Sequence, residues 1–294
     1  VWPVLGHLEL MYGMPLLLGF LFVVFGYQAA GLVVSHIVFA SIGLVTAVGG
    51  YWLGRLLRNR RVGVLLALLL ALAPGQISLN SAFYTETPYL CFNLFAFVCF
   101  VRCARDWRLK SFLLGILCLC GAAAFKGLAL LTPLMALPLL WRRKVPLKRW
   151  VPLAGIVMLS FVLVFAPWTV RNGITQGTYA PFPISQGDQK LLGTYVGLGV
   201  PAGDYQQDVD TLNAAAWDEG YQADVLTRLT KRGQFADART AQWLRENPLG
   251  YVFTHLFYKP LSLLTMSFYP QKLFGIPARV VQICWWGVLT LAAW

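Results

Sequence analysis

Residues 29–54 read AAGLVVSHIVFASIGLVTAVGGYWLG, with no charged side chain, and the run stops at the arginine-rich RLLRNRR. A stretch of that length and character is long enough to cross the hydrocarbon core of a bilayer, which takes about 20 apolar residues. Further apolar runs follow at about 62–82, 87–101, 111–141 and 150–168, and a last one begins near Pro277. Pro74 and Gly75 are expected to kink or end the second. Phe125-Lys126-Gly127 divides 111–141 into two short helices. The sequence therefore predicts an all-α chain: a polytopic transmembrane helix bundle with an extracytoplasmic loop region that is partly helical.

Composition agrees. The chain is 58% hydrophobic and 12% charged, and a soluble domain needs about 25% charged residues. The net charge of +12 would suit nucleic acid, but the cations sit in short clusters between apolar runs, which excludes that partner and points to membrane lipids. Three clusters, Arg55/Arg58/Arg60/Arg61, Arg102/Arg105/Arg108/Lys110 and Arg142/Arg143/Lys144/Lys148/Arg149, are expected on the cytoplasmic side. Two crossings separate each cluster from the next. The outer set is then the N-terminal stretch, SLNSAFYTET, the turn at Lys126 and a long loop.

Acids follow the same division. Only Glu9, Glu86 and Asp106 precede residue 188, and the other nine of the twelve lie between Asp188 and Glu246. Residues 1–168 are thus expected to hold transmembrane helices with short external turns, 169–247 the extracytoplasmic loop region, and 248–294 an interfacial segment and a C-terminal transmembrane helix. Gly and Pro punctuate 172–203, where coil is expected. Residues 205–246 have helical periodicity, with a break expected at Gly233. The aromatic-rich 249–269 either lies in the interface or spans with a kink at Lys259-Pro260. The six cysteines fall in or beside apolar runs without ligand spacing and read as small apolar residues. The start at Val1, without a leader pattern, and the stop at Trp294 inside an apolar run suggest a piece of a longer protein.

Charges inside apolar runs are costly, so Glu86 and Lys126 are the first functional candidates. Both fall at outward-facing helix junctions and can share one cavity. Glu86, close behind Tyr84, is equally readable as a helix N-terminal acid favoured by the macrodipole. Lys126 is equally readable as a snorkelling cation, and equally suited to a lipid-linked phosphate. Arg171-Asn172 follows Pro167-Trp168, the plain reading being an aromatic anchor with a flanking cation. His7, His36 and His255 are too scattered to assemble a metal site. Glycine-loop, dinucleotide and HExxH motifs are absent.

Three segments in order, YTETPYLCFNLFAF, AAFKGLALLTPLMALP and FAPWTVRNGITQGTYAPFPISQGDQKLLGTYVG, resemble the C superfamily of polytopic glycosyltransferases. That group includes aminoarabinose transferases and protein O-mannosyltransferase-like enzymes, and the resemblance covers roughly residues 10–270. It implies transfer of a sugar from a polyprenyl-phosphate donor to a glycan, lipid or protein acceptor outside the cell membrane, expected to be a bacterial inner membrane. Glu86 matches the family's second acidic position, Lys126-Gly127 its lysine-glycine turn, and Pro167, Trp168 and Arg171 its Pro-Trp-cation junction. Lys126 and Arg171 are the implied donor-phosphate ligands, Glu86 a positioning carboxylate, and Tyr84, Trp168 and Asn172 cavity residues.

The family's first helix and principal catalytic acid have no counterpart here, so the base is expected outside this chain, with Glu9 the remaining early acid. Gly13-Met14 stands where some members carry Glu-Lys, so no metal is assigned and a divalent ion is left open. The competing reading is a transporter or flippase of a lipid-linked sugar, built on the same cavity. A scaffold subunit is the third.

Overall fold

The computed structural model describes residues 12–81, 83–106, 108–136, 141, 146–176, 179, 186–217, 224–265 and 275–293. Among them every regular element is helical. Two compact units emerge. One comprises α1 (Gly13–Phe25), α2 (Ala29–Leu57), α3 (Arg60–Leu72), α4 (Pro74–Ser81), α5 (Glu86–Asp106), α6 (Leu109–Phe125), a 3-10 helix (Gly127–Ala136), α7 (Leu147–Gln176) and, after the second unit in sequence, the last helix. The other comprises α8 (Gln186–Gly193), α9 (Tyr205–Trp217), α10 (Asp224–Glu246), α11 (Pro248–Phe253), a π turn (Thr254–Tyr258) and α12 (Lys259–Thr265). The last helix, α13, is Ala278–Ala293.

Three helices, Ala29–Leu57, Glu86–Asp106 and a stretch of α7 from Val151 to Ile174, are long and apolar enough to cross a membrane. The pair α3–α4 makes a fourth if counted as one bent span, with a 50° break. The break follows from local chemistry. Pro74 cannot donate an N–H and holds Ala73 at ψ 115°, outside the helical region, so one helix ends and another begins with proline at its first position.

Glycines on α2 set the packing of this unit. Gly43 faces Asn80 of α4, Gly49 faces Leu94 and Phe95 of α5, and Gly54 faces Gly63 of α3. A Cβ on Gly54 would lie 2.7 Å from the Gly63 Cα and from the Val62 carbonyl oxygen, both backbone atoms that cannot swing aside. Such close approach is how apolar helices associate where burial of oil against oil gives little. Asn59 then closes the α2–α3 turn, its Oδ1 accepting from the Val62 N–H at 3.0 Å. Gly54→Leu is expected to destabilise the unit by about 1–3 kcal/mol. Thermal unfolding in detergent would read this against Gly19→Leu, a position with nothing within 4 Å. Equal behaviour of the two variants would remove the claim.

The α5–α6 hairpin uses the same device. Gly115 and Gly121 of α6 admit the rings of Phe100 and Phe92. Cys91, Cys99 and Cys103 are buried along α5, as small apolar residues should be, Cys118 and Cys120 are half-buried, and Cys284 is exposed.

Three expectations need correction. The stretch before α2 contains a helix of its own, α1, whose 13 residues are too few for a span. Gly26, at φ 82°, ends it and donates to the Phe22 carbonyl. Of residues 172–203, expected to be coil, 172–176 continue α7, so Arg171 and Asn172 stand on a helix, and Gln186–Gly193 form α8. α10 runs unbroken through Gly233. A mid-helix glycine costs about 1 kcal/mol, less than the burial of Ala236 and Trp243 on that helix returns.

The second unit packs Leu191, Val209 and Ala236 at its centre, with Tyr195, Tyr205, Leu212 and Phe235 around them. Its loop 194–204 is tied down by Arg239, which is 6% exposed. The guanidinium donates to Thr194 Oγ1 at 3.1 Å, to the Ala202 carbonyl at 3.1 Å and to the Pro201 carbonyl at 2.9 Å. It also lies 3.8 Å from the Tyr195 ring centroid and 3.8 Å from Asp208 Oδ2. The Tyr195 hydroxyl donates to the same Asp208 oxygen. Burial first, and that hydrogen bond second, hold the Tyr195 phenol above its usual range, so it stays a donor.

Candidate functional site

The sequence candidates fall into two groups, both in the first unit. Glu86 opens α5 and Lys126 follows the end of α6, and because these helices are antiparallel neighbours the two ends meet. Lys126 Nζ donates to Glu86 Oε1 at 2.5 Å across 40 residues of sequence. Each charge sits at the helix end whose dipole favours it, the acid at an N-terminus and the cation at a C-terminus. Thr85 Oγ1 donates to the second carboxylate oxygen at 3.1 Å. The Lys126 side chain is 33% exposed and that of Glu86 36%, so the pair is open to a ligand.

Local backbone explains why the pair is placed so well. Phe83 adopts φ 50°, a left-handed conformation that a phenylalanine takes only when its surroundings hold it there. Its ring is held by Phe39, edge-on at 5.2 Å, and by His36 at 4.3 Å, both on α2. Pro88, in the first turn of α5, needs no N–H partner and is buried. On the other side, Lys126 takes an extended backbone (φ −149°, ψ 128°) and its N–H closes α6 on the Ala122 carbonyl at 2.9 Å. The chain then continues as a 3-10 helix, whose three residues per turn align Lys126, Ala129 and Thr132.

Thr132 meets Asn93 of α5 in a second polar rung. The spacing fits: Glu86 to Asn93 is about 10 Å along an α-helix, and Lys126 to Thr132 about 12 Å along a 3-10 helix. Asn93 and Thr132 were not among the sequence candidates. The signal was available, since Asn93 is a polar residue in an apolar run seven positions from Glu86 and on its face.

The second group gathers near the end of α7. The Arg171 guanidinium lies 4.8 Å from the Trp168 ring centroid, and its NH1 donates to Asn172 Oδ1 at 3.1 Å. Asn172 is buried, so it steadies Arg171 from beneath. Tyr12, unforeseen from sequence, adds a ring 5.6 Å from Trp168 and donates its hydroxyl to the Val164 carbonyl at 3.3 Å.

One apolar cluster lies beneath the Glu86–Lys126 pair and reaches α1. Met14, Phe39 and Phe125 pack with Phe83, Tyr89 and Ala124, so the neighbours of Tyr12, Glu86 and Lys126 in sequence share a core. Phe39 lies about 15 Å along α2 from its start, so the first turns of that helix reach past the level of the pair. Tyr84 stands exposed beside the pair, and its carbonyl accepts from the Thr87 N–H at 3.2 Å.

Asp106, the other acid between Met11 and Pro181, lies at the opposite end of α5, about 30 Å from Glu86. Among the described residues no three His, Cys, Asp or Glu side chains are grouped to hold a metal ion. Comparison with protein-family models, with curated proteins and with solved structures finds no match.

Proposed function

We propose that the chain is a polytopic membrane glycosyltransferase that moves a sugar from a polyprenyl-phosphate donor to an extracytoplasmic acceptor. The observation that supports it is the Glu86–Lys126 pair, a solvent-reachable cation at the adjoining ends of two apolar helices. An isoprenoid donor cannot leave the bilayer, so its phosphate must be met at such a level. In this reading the three basic clusters face the cytoplasm and the pair faces outward. The reacting bond is the one from the anomeric carbon to the phosphate oxygen. An acceptor hydroxyl attacks that carbon, its proton passes to a carboxylate, and the polyprenyl phosphate leaves with the electron pair.

Lys126, with Arg171, takes the charge that grows on the leaving phosphate. A phosphate arriving at Lys126 competes with Glu86 for the ammonium, and a displaced Glu86 is then free to orient donor or acceptor hydroxyls. That role, rather than the base, fits a carboxylate already committed to a lysine.

The flippase reading draws on the 50° break between α3 and α4, since transporters line their sites with broken helices. One assay separates the two. The full-length parent protein in detergent would receive a radiolabelled polyprenyl-phosphate sugar and membrane-extracted acceptor material, beside its Glu86→Ala variant. Acceptor-dependent loss of label from the lipid, reduced in the variant, is expected of a transferase. Label that stays on the lipid yet crosses a liposome bilayer would replace this reading with transport.

A further inference from the structure

Residues 248–265 read PLGYVFTHLFYKPLSLLT, and Lys259 is their sole formal charge. Leu249, Val252, Phe253, Leu256, Phe257 and Leu261 recur at helical spacing, and all are between 47% and 81% exposed. A narrow opposite face holds the segment to its unit. Thr254 is fully buried there, its hydroxyl accepting from the Leu198 N–H at 2.9 Å, and Tyr251 meets Trp243 edge-on at 5.2 Å. An apolar face of six large side chains is more than a water-facing helix leaves bare.

The π turn Thr254–Tyr258 adds a residue to this helix, and the Lys259 N–H accordingly reaches back to the Thr254 carbonyl. His255 Nδ1 lies 3.0 Å from the Tyr251 carbonyl, which can only accept, so Nδ1 carries the proton. The lone pair on Nε2 is left to accept from Lys259 Nζ at 3.0 Å. The ammonium gives a second N–H to the Gly193 carbonyl at 2.8 Å and lies 5.7 Å from the Trp243 ring centroid. Its third N–H has no partner among the described residues, and no carboxylate among them pairs with it. Burial lowers the Lys259 pKa, as it does for a cation short of solvent and counter-charge. The groups facing the pair are the Gly193 carbonyl from α8, the Trp243 ring from α10, and Tyr251 on the same helix. Lys190 of α8 is engaged by Asp237.

We propose that Pro248–Thr265 is a membrane-surface element whose apolar face enters the acyl chains while Lys259, steadied by His255, takes the phosphate of an anionic lipid headgroup. The charge and the apolar face belong to one helix, and that helix precedes the apolar α13 while its unit follows the spanning α7. A lipid satisfies both features at once. The proposal rests on the chain being membrane-embedded and is independent of the transferase reading.

The chain has three histidines, so carbon-13 labelling at histidine resolves His255 from His7 and His36, with His255→Gln fixing its assignment. The labelled protein in maltoside micelles would be titrated with dihexanoyl phosphatidic acid, dihexanoyl phosphatidylcholine and inorganic phosphate. A saturable movement of the His255 signal is expected with phosphatidic acid. The affinity should fall at least about fivefold in Lys259→Met and in Leu256→Ser/Phe257→Ser, with the His36 signal unmoved as the folding control. No movement with phosphatidic acid, or an undiminished response in Lys259→Met, would overturn the headgroup site. A response to inorganic phosphate as strong as to the lipid, or phosphatidic acid binding indifferent to the Leu256/Phe257 changes, would overturn the lipid as its source.

Discussion

Lys126→Ala is expected to lower turnover of a polyprenyl-phosphate sugar by roughly 100- to 1,000-fold, the range seen when one charge-stabilising donor is taken from a reacting oxygen. The same substitution should barely move thermal stability. Both side chains of the pair are about one-third exposed, so solvent screens their attraction, and pairs of that kind contribute about 0–1 kcal/mol. Glu86 keeps the helix dipole and the Thr85 hydroxyl after Lys126 is gone. The comparison therefore separates a working cation from a staple between α5 and α6. A staple would show the reverse pattern, a lower melting temperature and intact turnover. The double change Glu86→Gln/Lys126→Met sharpens it, because two neutral partners keep the helix ends together while no cation is left for a phosphate.

Arg239→Met should have the largest effect on folding, about 3 kcal/mol or more within the second unit. Methionine fills much of the same space but leaves the Pro201 and Ala202 carbonyls without their donor, and Asp208 without its cation. Loop 194–204 would then lose what fastens it to α10. Limited proteolysis should read this as a roughly hundredfold rise in the open population, with cleavage confined to that loop. Arg239→Lys is expected to fail almost as badly, since one ammonium cannot reach three separated acceptors that a planar fork reaches together. A wild-type cleavage rate in both variants would mean that the loop is held by Leu191 and its neighbours alone.

The helices that can cross a membrane were legible because length and the absence of charge decide them. Residues 29–54 sit within Ala29–Leu57, and the proline break at 74 lies where the sequence put it. Glu86 and Lys126 were legible as costly charges at helix ends, and antiparallel packing of α5 on α6 brings those ends together. Harder to read were features that depend on partners far away in sequence. Nothing local marks Phe83 as left-handed, since the reason is the ring pocket on α2. Nothing local marks Tyr12 as a companion of Trp168, or Gly233 as harmless inside α10. Nothing local sets Arg239 apart from the other cations of its helix, and only the folded loop supplies its three acceptors. The chemistry assigned to Glu86, Lys126 and Arg171 draws on the family resemblance together with this geometry, which is why turnover assays carry the weight of the tests.

The glycine contact between α2 and α3 has a consequence for biogenesis. The two helices are joined by two residues, Arg58 and Asn59, and their closest approach lies within a few positions of that turn. Contacts so near in sequence form early, before later segments are available to help. The hairpin can therefore close on itself early, bringing Arg55, Arg58, Arg60 and Arg61 together at one end of two apolar helices.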